Sequence, residues 1–130
     1  MKVAVVGSRN FKNREEMYKI LDKKHDQIDA IISGGAQGAD SLGHEWAKER
    51  GKTCIIHYAN WHPLNGDYDK GAGFKRNFKI IADADRVYAF WDGKSRGTKH
   101  SIDQASKRGK TVVIFTFDPI EQEILNYKIV

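Results

Sequence analysis

Short runs of β-branched and aromatic residues recur at Lys2 to Val6, Ala30 to Ser33, Thr53 to His57, Arg86 to Trp91 and Thr111 to Phe117, each bounded by turn-forming residues. Runs this short, flanked by glycine, asparagine or aspartate, read as strands rather than helices. Between them the apolar positions change period. Asn13 and Glu16 make a capping box ahead of Met17, Ile20, Leu21 and Ile28. Ala39, Leu42, Gly43, Trp46 and Ala47 then follow i, i+3, i+4, i+7, i+8, the stripe of a helix with one buried face. Phe74, Phe78, Ile81 and Ala82 predict a third helix, and Ile102, Ala105 and Ser106 a fourth that stops at Gly109.

Strands alternating with helices predict an α/β fold, a Rossmann-like three-layer sandwich with a mostly parallel five-stranded sheet and right-handed crossovers. Residues 1–117 are expected to form one domain, with 118–130 a C-terminal tail of the same domain. From Asp118-Pro119 onward, Ile120, Ile124 and Leu125 predict a short helix. The tail equally suits docking on another subunit, which makes a homo-oligomer an expectation.

At 130 residues and 40% hydrophobic the chain supports one compact domain. No apolar run approaches the roughly 18 residues of a membrane span, and Met1 to Gly7 is too short for a signal peptide. The expectation is a cytoplasmic protein with no membrane partner. Cys54 is the sole cysteine, which excludes an internal disulfide or a cysteine-built metal site and predicts a buried strand thiol. His57 and His62 stand at no ligand spacing with Asp67 or Asp69, so no metal is expected.

A net charge of +5 and a pI near 9.3 favour anionic partners, and where the cations fall matters more than their number. Lys19, Lys23, Lys24, Lys48, Lys79, Lys107 and Lys110 lie on helix faces or ends. Arg9, Lys70, Lys75, Arg76, Lys94, Arg96 and Lys99 fall in or beside the loops that leave the carboxyl ends of the strands. In an open parallel sheet that is where ligands bind.

Four of these segments carry chemistry. Gly7-Ser8-Arg9 closes the first strand with a permissive turn, a hydroxyl and a cation able to pair with phosphate. Ser33-Gly34-Gly35-Ala36-Gln37-Gly38-Ala39-Asp40 puts three glycines before a helix start, where backbone N–H groups can approach an anion. It lacks the Gly-Lys-Ser/Thr ending of a P-loop, which excludes triphosphate hydrolysis of that kind. Asp40 has two readings, a cap of the second helix or a carboxylate that accepts from ribose or activates water. Lys75-Arg76-Asn77 opens the third helix. Trp91-Asp92-Gly93-Lys94-Ser95-Arg96-Gly97-Thr98 repeats the glycine-hydroxyl pattern before the fourth.

Two such loops on separate strands predict one anion site. Gly34, Gly35, Gly38, Gly93, Ser95, Gly97 and Thr98 would cradle phosphate, and Arg9 and Arg76 would neutralise it. Trp61 or Trp91 would contact a base and Asp40 or Asp92 a ribose, with Gly7, Ser8, Ser33 and Asn77 completing the lining. The long connection from Tyr58 to Ala72 carries Trp61, His62 and Tyr68, with Phe74 just beyond it, as stacking surfaces. It reads as a lid hinged at Gly66, Gly71 and Gly73, or as a cover for the sheet edge. No resident cofactor is expected; the ligand is a nucleotide or phosphorylated nucleoside derivative. Two alternatives stand beside this binding role. One is an N-glycosidic hydrolase or transferase using Asp40 and Arg76, and the other is single-stranded nucleic-acid binding through the basic rim and aromatics.

At these residues the chain resembles a known family. Gly7-Ser8-Arg9, the Ser33 to Asp40 loop, Asn60-Trp61 followed by Gly71-Ala72-Gly73-Phe74-Lys75-Arg76-Asn77, and Trp91 to Thr98 are similar to the YspA-like branch of the SLOG superfamily, over Met1 to about Phe117. The resemblance implies a Rossmann-like domain of bacteria and phages associated with nucleotide-derived ligands. Its relatives include cytokinin-activating phosphoribohydrolases, DNA-processing proteins of natural transformation and sensor domains of antiphage systems. The phosphoribohydrolases carry Pro-Gly-Gly-x-Gly-Thr-x-x-Glu after the fourth strand. In this chain Ser101 stands at the glutamate position, while Arg76 matches their arginine.

Overall fold

Alternation along the first strand divides the molecule into layers. In β1 (Lys2–Gly7), Val3 and Val5 point into one apolar cluster and Ala4 and Val6 into another, all essentially buried. A strand covered on both faces belongs in the middle of a parallel sheet. The computed structural model, which describes residues 1–63 and 66–130, places it there. Leu64 and Asn65, within the Tyr58 to Ala72 loop, lie outside the described residues.

The sheet runs β3-β2-β1-β4-β5-β6, with β2 at Ala30–Ser33, β3 at Thr53–Ile56, β4 at Arg86–Trp91, β5 at Thr111–Phe117 and β6 at Ile124–Ile129. All neighbours are parallel except β5 and β6. The helices are α1 (Arg14–Asp22), α2 (Ala39–Glu49), α3 (Ala72–Asp83) and α4 (Arg96–Lys107). Met17 and Leu21 of α1 and Trp46 and Ala47 of α2 fill the cluster on one face of the sheet. Ile80 and Ile81 of α3 with Ile102 and Ala105 of α4 fill the other. Asn13 caps α1 as its position predicts, accepting from the Glu16 backbone N–H at 3.2 Å. The helix ends at Asp22, so Ile28 reaches the core from beyond a short 3-10 turn.

Among the described residues the sheet therefore has six strands, not five. The expected tail helix is a strand, because Ile124 to Ile129 pair antiparallel with β5 and long-range bonds fix the turn before them. Gln122, at φ 62°, accepts from the Lys12 backbone N–H at 2.6 Å and donates to the Asn10 carbonyl at 2.8 Å, and its own carbonyl accepts from the Asn13 side chain at 2.7 Å. These partners lie more than a hundred residues away, beyond the reach of any local pattern.

The buried stripe of α3 is also rotated from the expected one. Ala72, Asn77, Ile80 and Ile81 face inward, whereas Phe74 is 46% exposed. In α4 the inward stripe begins with Thr98 and Ser101 before it reaches Ile102 and Ala105. Polar residues on the inner face of two helix starts mean that those starts border something other than core.

Candidate anion-binding site

Order reverses between β1 and β4: β2 and β3 lie to one side of that pair, β5 and β6 to the other. Crossovers leave the sheet in opposite directions there and open a crevice at the carboxyl ends. A cleft of about 520 Å³ occupies this point, walled by the β1 loop, the starts of α2, α3 and α4, and the β4 loop. A side cavity of about 190 Å³ shares Arg9, Arg76, Asn77 and Gly97 with it and adds Trp61, Lys70, Gly73 and Phe74.

The two glycine loops are held by contacts through Ser8. Its backbone N–H donates to the Phe90 carbonyl at 2.9 Å, and its Oγ accepts from the Asp92 N–H at 3.2 Å and from Ser95 Oγ at 3.0 Å. Its carbonyl accepts from Ala39 at the start of α2. Gly38, at φ 79°, permits that approach, since a Cβ there would lie 2.4 Å from the Ser8 carbonyl oxygen.

Asp92 organises its own loop. Oδ1 accepts from the Lys94 and Ser95 backbone N–H groups at 2.9 and 2.7 Å, and Oδ2 from Ser95 Oγ at 3.0 Å. Partial burial works to raise its pKa, but these donors and the Ser8 hydroxyl outweigh it and hold the carboxyl below its ordinary value. With Ser95 Oγ turned toward Ser8 and Asp92, α4 has no side-chain cap. Its first free N–H groups, on Arg96, Gly97 and Thr98, have no partner inside the helix and carry the positive end of its dipole. All three residues line the cleft.

Asp40 and Arg76 form the opposite wall. Asp40 does not cap α2; the cap position is Gly38. The carboxylate, 5% exposed, turns back to accept from the Gly34 N–H at 3.1 Å. Burial pushes it up to about 6, against the pull of Arg76, the Ala36 and Gly34 N–H groups and Arg9. Arg76 donates to the Gly34 carbonyl at 2.9 Å and to Asn77 Oδ1 at 3.2 Å, and burial lowers its pKa while Asp40 raises it. Among the described residues neither Arg76 nor Arg9 makes an ion pair. Two cations converge on the cleft, and the one carboxyl that neighbours them is reluctant to ionise.

Of the residues singled out from sequence, Gly7, Ser8, Arg9, Asp40, Arg76, Asn77, Asp92, Ser95, Gly97 and Thr98 line the main cleft, and Trp61 lines the side cavity. Ser33, Gly34, Gly35, Gly38, Trp91 and Gly93 line neither. Ser33 Oγ donates to the Asp40 carbonyl at 3.1 Å, and Trp91 Nε1 donates to the Ser95 carbonyl at 3.0 Å, so these two brace the walls. Gly34 lies so close to Asp40 and Arg76 that a Cβ would stand 2.8 and 2.9 Å from their side chains. Ala36, Ile80 and the buried Ser101 join the lining without having been singled out for it. A serine on the apolar stripe of α4, one turn after Thr98, was the available signal for Ser101. Among the described residues no group of three or more His, Cys, Asp or Glu side chains is placed to hold a metal. Cys54 is half-buried, with its thiol pKa raised by burial.

The sequence profile of the YspA, cpYpsA-related SLOG family matches residues 1–63. The Gene 61 protein of Mycobacterium phage D29 is 34% identical over 127 residues, an alignment spanning 91% of this chain and 98% of that protein. The chain belongs to this SLOG family. DNA processing protein A from Streptococcus pneumoniae superposes with a TM-score of 0.75 at 21% identity, covering 93% of the SLOG chain but 52% of its own, so the match spans about half of that protein. DNA processing protein A from Helicobacter pylori, described for its single-stranded DNA binding mode, superposes with a TM-score of 0.71 at 22% identity, covering 94% and 70%. At these identities the likeness is one of fold. No described helix is long and apolar enough to cross a membrane.

Proposed function

We propose that this SLOG domain binds a nucleotide or phosphorylated nucleoside derivative, with its phosphate at the start of α4 between Arg9 and Arg76. The carrying observation is the convergence in one cleft of the Arg96, Gly97 and Thr98 amides with two arginines that make no ion pair among the described residues. Backbone amides at a helix start bind phosphate oxygens, and guanidinium groups add charge-assisted bonds. The volume of about 520 Å³ falls within the range of small-molecule sites. Trp61 and Phe74, in the side cavity that shares Arg9 and Arg76, offer flat surfaces for a base.

Titration calorimetry with AMP, ADP and ADP-ribose tests this reading. At least one is expected to bind, and Arg76→Ala is expected to weaken it tenfold or more, about 1.4 kcal/mol. Absence of binding by all three at about 1 mM would sink the proposal. A second reading, single-stranded nucleic acid, draws on the aromatic lining of the side cavity, its Lys70, and the description of the H. pylori relative. A short oligonucleotide in the same titration separates the two. Tighter binding of the strand than of any nucleotide, with a steep loss of affinity as salt rises, would favour the second.

A further inference from the structure

Five of the eight large apolar side chains most exposed among the described residues fall in the last eleven positions. Ile120 is 86% exposed, Leu125 59%, Tyr127 68%, Ile129 63% and Val130 43%. Leu125, Tyr127 and Ile129 alternate along β6 and therefore share one face of the sheet. Their cross-strand partners continue into the core. Phe115, opposite Tyr127, and Val113, opposite Ile129, belong to the cluster packed under α1 and α2. The apolar face thus runs past the helices that cover it, out to the last strand.

The backbone of that strand is also open. Val112 and Val130 exchange both of their hydrogen bonds, at 3.0 and 2.9 Å, and along an antiparallel ladder such pairs recur every second residue. Asn126 and Lys128 are thereby directed to β5, and the N–H and C=O groups of Tyr127 and Ile129 point away from the sheet. Exposed edges of this kind are ordinarily blunted by proline, by charge or by a covering segment. Between Ile124 and Val130 there is no proline, and the only charge, Lys128, lies on the opposite face from the apolar row.

We infer that β6 is the seam of a homodimer, in which the edge strands of two copies pair antiparallel and join their sheets into one of twelve strands. A two-fold axis perpendicular to the sheet keeps each face on its own side, so the two Leu125-Tyr127-Ile129 rows meet across the seam. Area favours a second copy. With large side chains presenting roughly 150–250 Å² each, the three exposed side chains of the row offer on the order of 400 Å². That is a sizeable patch for a solitary protein and about half of the roughly 800 Å² each partner gives to a stable interface, before the paired backbone is counted. A strand of the same sequence supplies both the missing backbone partners and a matching apolar row. The cleft, at the carboxyl ends of β1 and β4, stays open in such a dimer.

Sedimentation equilibrium of the chain, across about 1–100 μM, is the first test, with a reversible monomer–dimer equilibrium expected. Tyr127→Asp and Ile129→Lys are each expected to shift it at least tenfold toward monomer. Hydrogen exchange gives a readout independent of any variant. The Tyr127 and Ile129 amides should gain protection as concentration rises, while amides remote from β6 do not. A wild type that stays monomeric, or a dimer whose Tyr127 and Ile129 amides exchange at the same rate at every concentration, would overturn the inference.

Discussion

Asp40 is the residue whose surroundings most strain its ordinary chemistry. An unfolded aspartate ionises near its usual value of about 3.9, whereas the folded carboxyl holds its proton up to about 6 because it is buried on the wall of the cleft. Between those values the native state binds the extra proton, so stability falls as pH rises and the full cost is present above 6. Two pKa units correspond to about 3 kcal/mol at most. Asp40→Asn, which has no charge to bury, is expected to flatten this dependence. Lowered carboxyls such as Asp22 and Asp92 and the lowered His100 act in the opposite direction over the same interval, so the Asp40 contribution is read by difference: between pH 4 and pH 7 in urea titrations the wild type should lose about 2–3 kcal/mol relative to Asp40→Asn. Equal losses in both proteins would place the proton elsewhere. The same geometry gives binding a sign: an anion beside Arg76 is repelled by ionised Asp40. Affinity for ADP-ribose, whose diphosphate does not titrate in this range, should therefore rise as pH falls through 6.

At the scale of elements, the starts of α2 and α4 are set against the β1 loop through Ser8, and Gly38 is where backbone meets backbone. A side chain there meets both a positive φ and a carbonyl oxygen 2.4 Å away, so Gly38→Ala must push α2 off the Ser8-Arg9 turn. A loss of about 2–3 kcal/mol in chemical denaturation, with weakened nucleotide binding, is the expected outcome. An unchanged midpoint would mean that the turn yields freely. Local pattern was enough to place β1 to β5 and all four helices, because each run is bounded by turn residues and differs in period from its neighbours. It erred where a distant partner decides. Ile120, Ile124 and Leu125 satisfy helical spacing, but Leu125, Tyr127 and Ile129 also alternate, and only Gln122's bonds to Asn10 and Lys12 and the ladder with β5 select the strand. In α3 the aromatic positions Phe74 and Phe78 drew the stripe outward. The true inner face carries Asn77 and borders the cleft at Arg76, two residues picked out by the Lys75-Arg76-Asn77 motif and not by the apolar period. Glycine and hydroxyl loops were legible as the segments around the cleft for the converse reason: a glycine shows in the sequence where the backbone is left bare, and Ser8, Ser95, Gly97 and Thr98 do line it.

Across the whole molecule the question is what four converging loops can do once a ligand is held. Cleavage of an N-glycosidic bond needs a group that steadies the developing ribosyl cation or activates water, and in the resembling hydrolases a glutamate stands where this chain has Ser101. Ser101 lines the cleft almost wholly buried, and its hydroxyl carries no charge. Asp92 accepts three bonds from its own loop, which hold it in place and below its ordinary pKa, so it is poorly suited to take a proton. Asp40 remains, on the far wall beside Arg76 and bonded to the Gly34 N–H. One carboxyl, placed next to the cations that would hold phosphate, is better positioned to sense a bound anion than to attack the sugar. Incubation with nucleoside monophosphates, NAD and ADP-ribose is therefore expected to release no free base above the uncatalysed rate when followed by chromatography, and at the cleft Asp40→Asn should mainly alter affinity. A group acting in the transition state behaves differently, since its loss lowers turnover by about a hundredfold or more with little effect on binding. Base release by the wild type that disappears in Asp40→Asn would make this cleft an active site and Asp40 its catalytic residue.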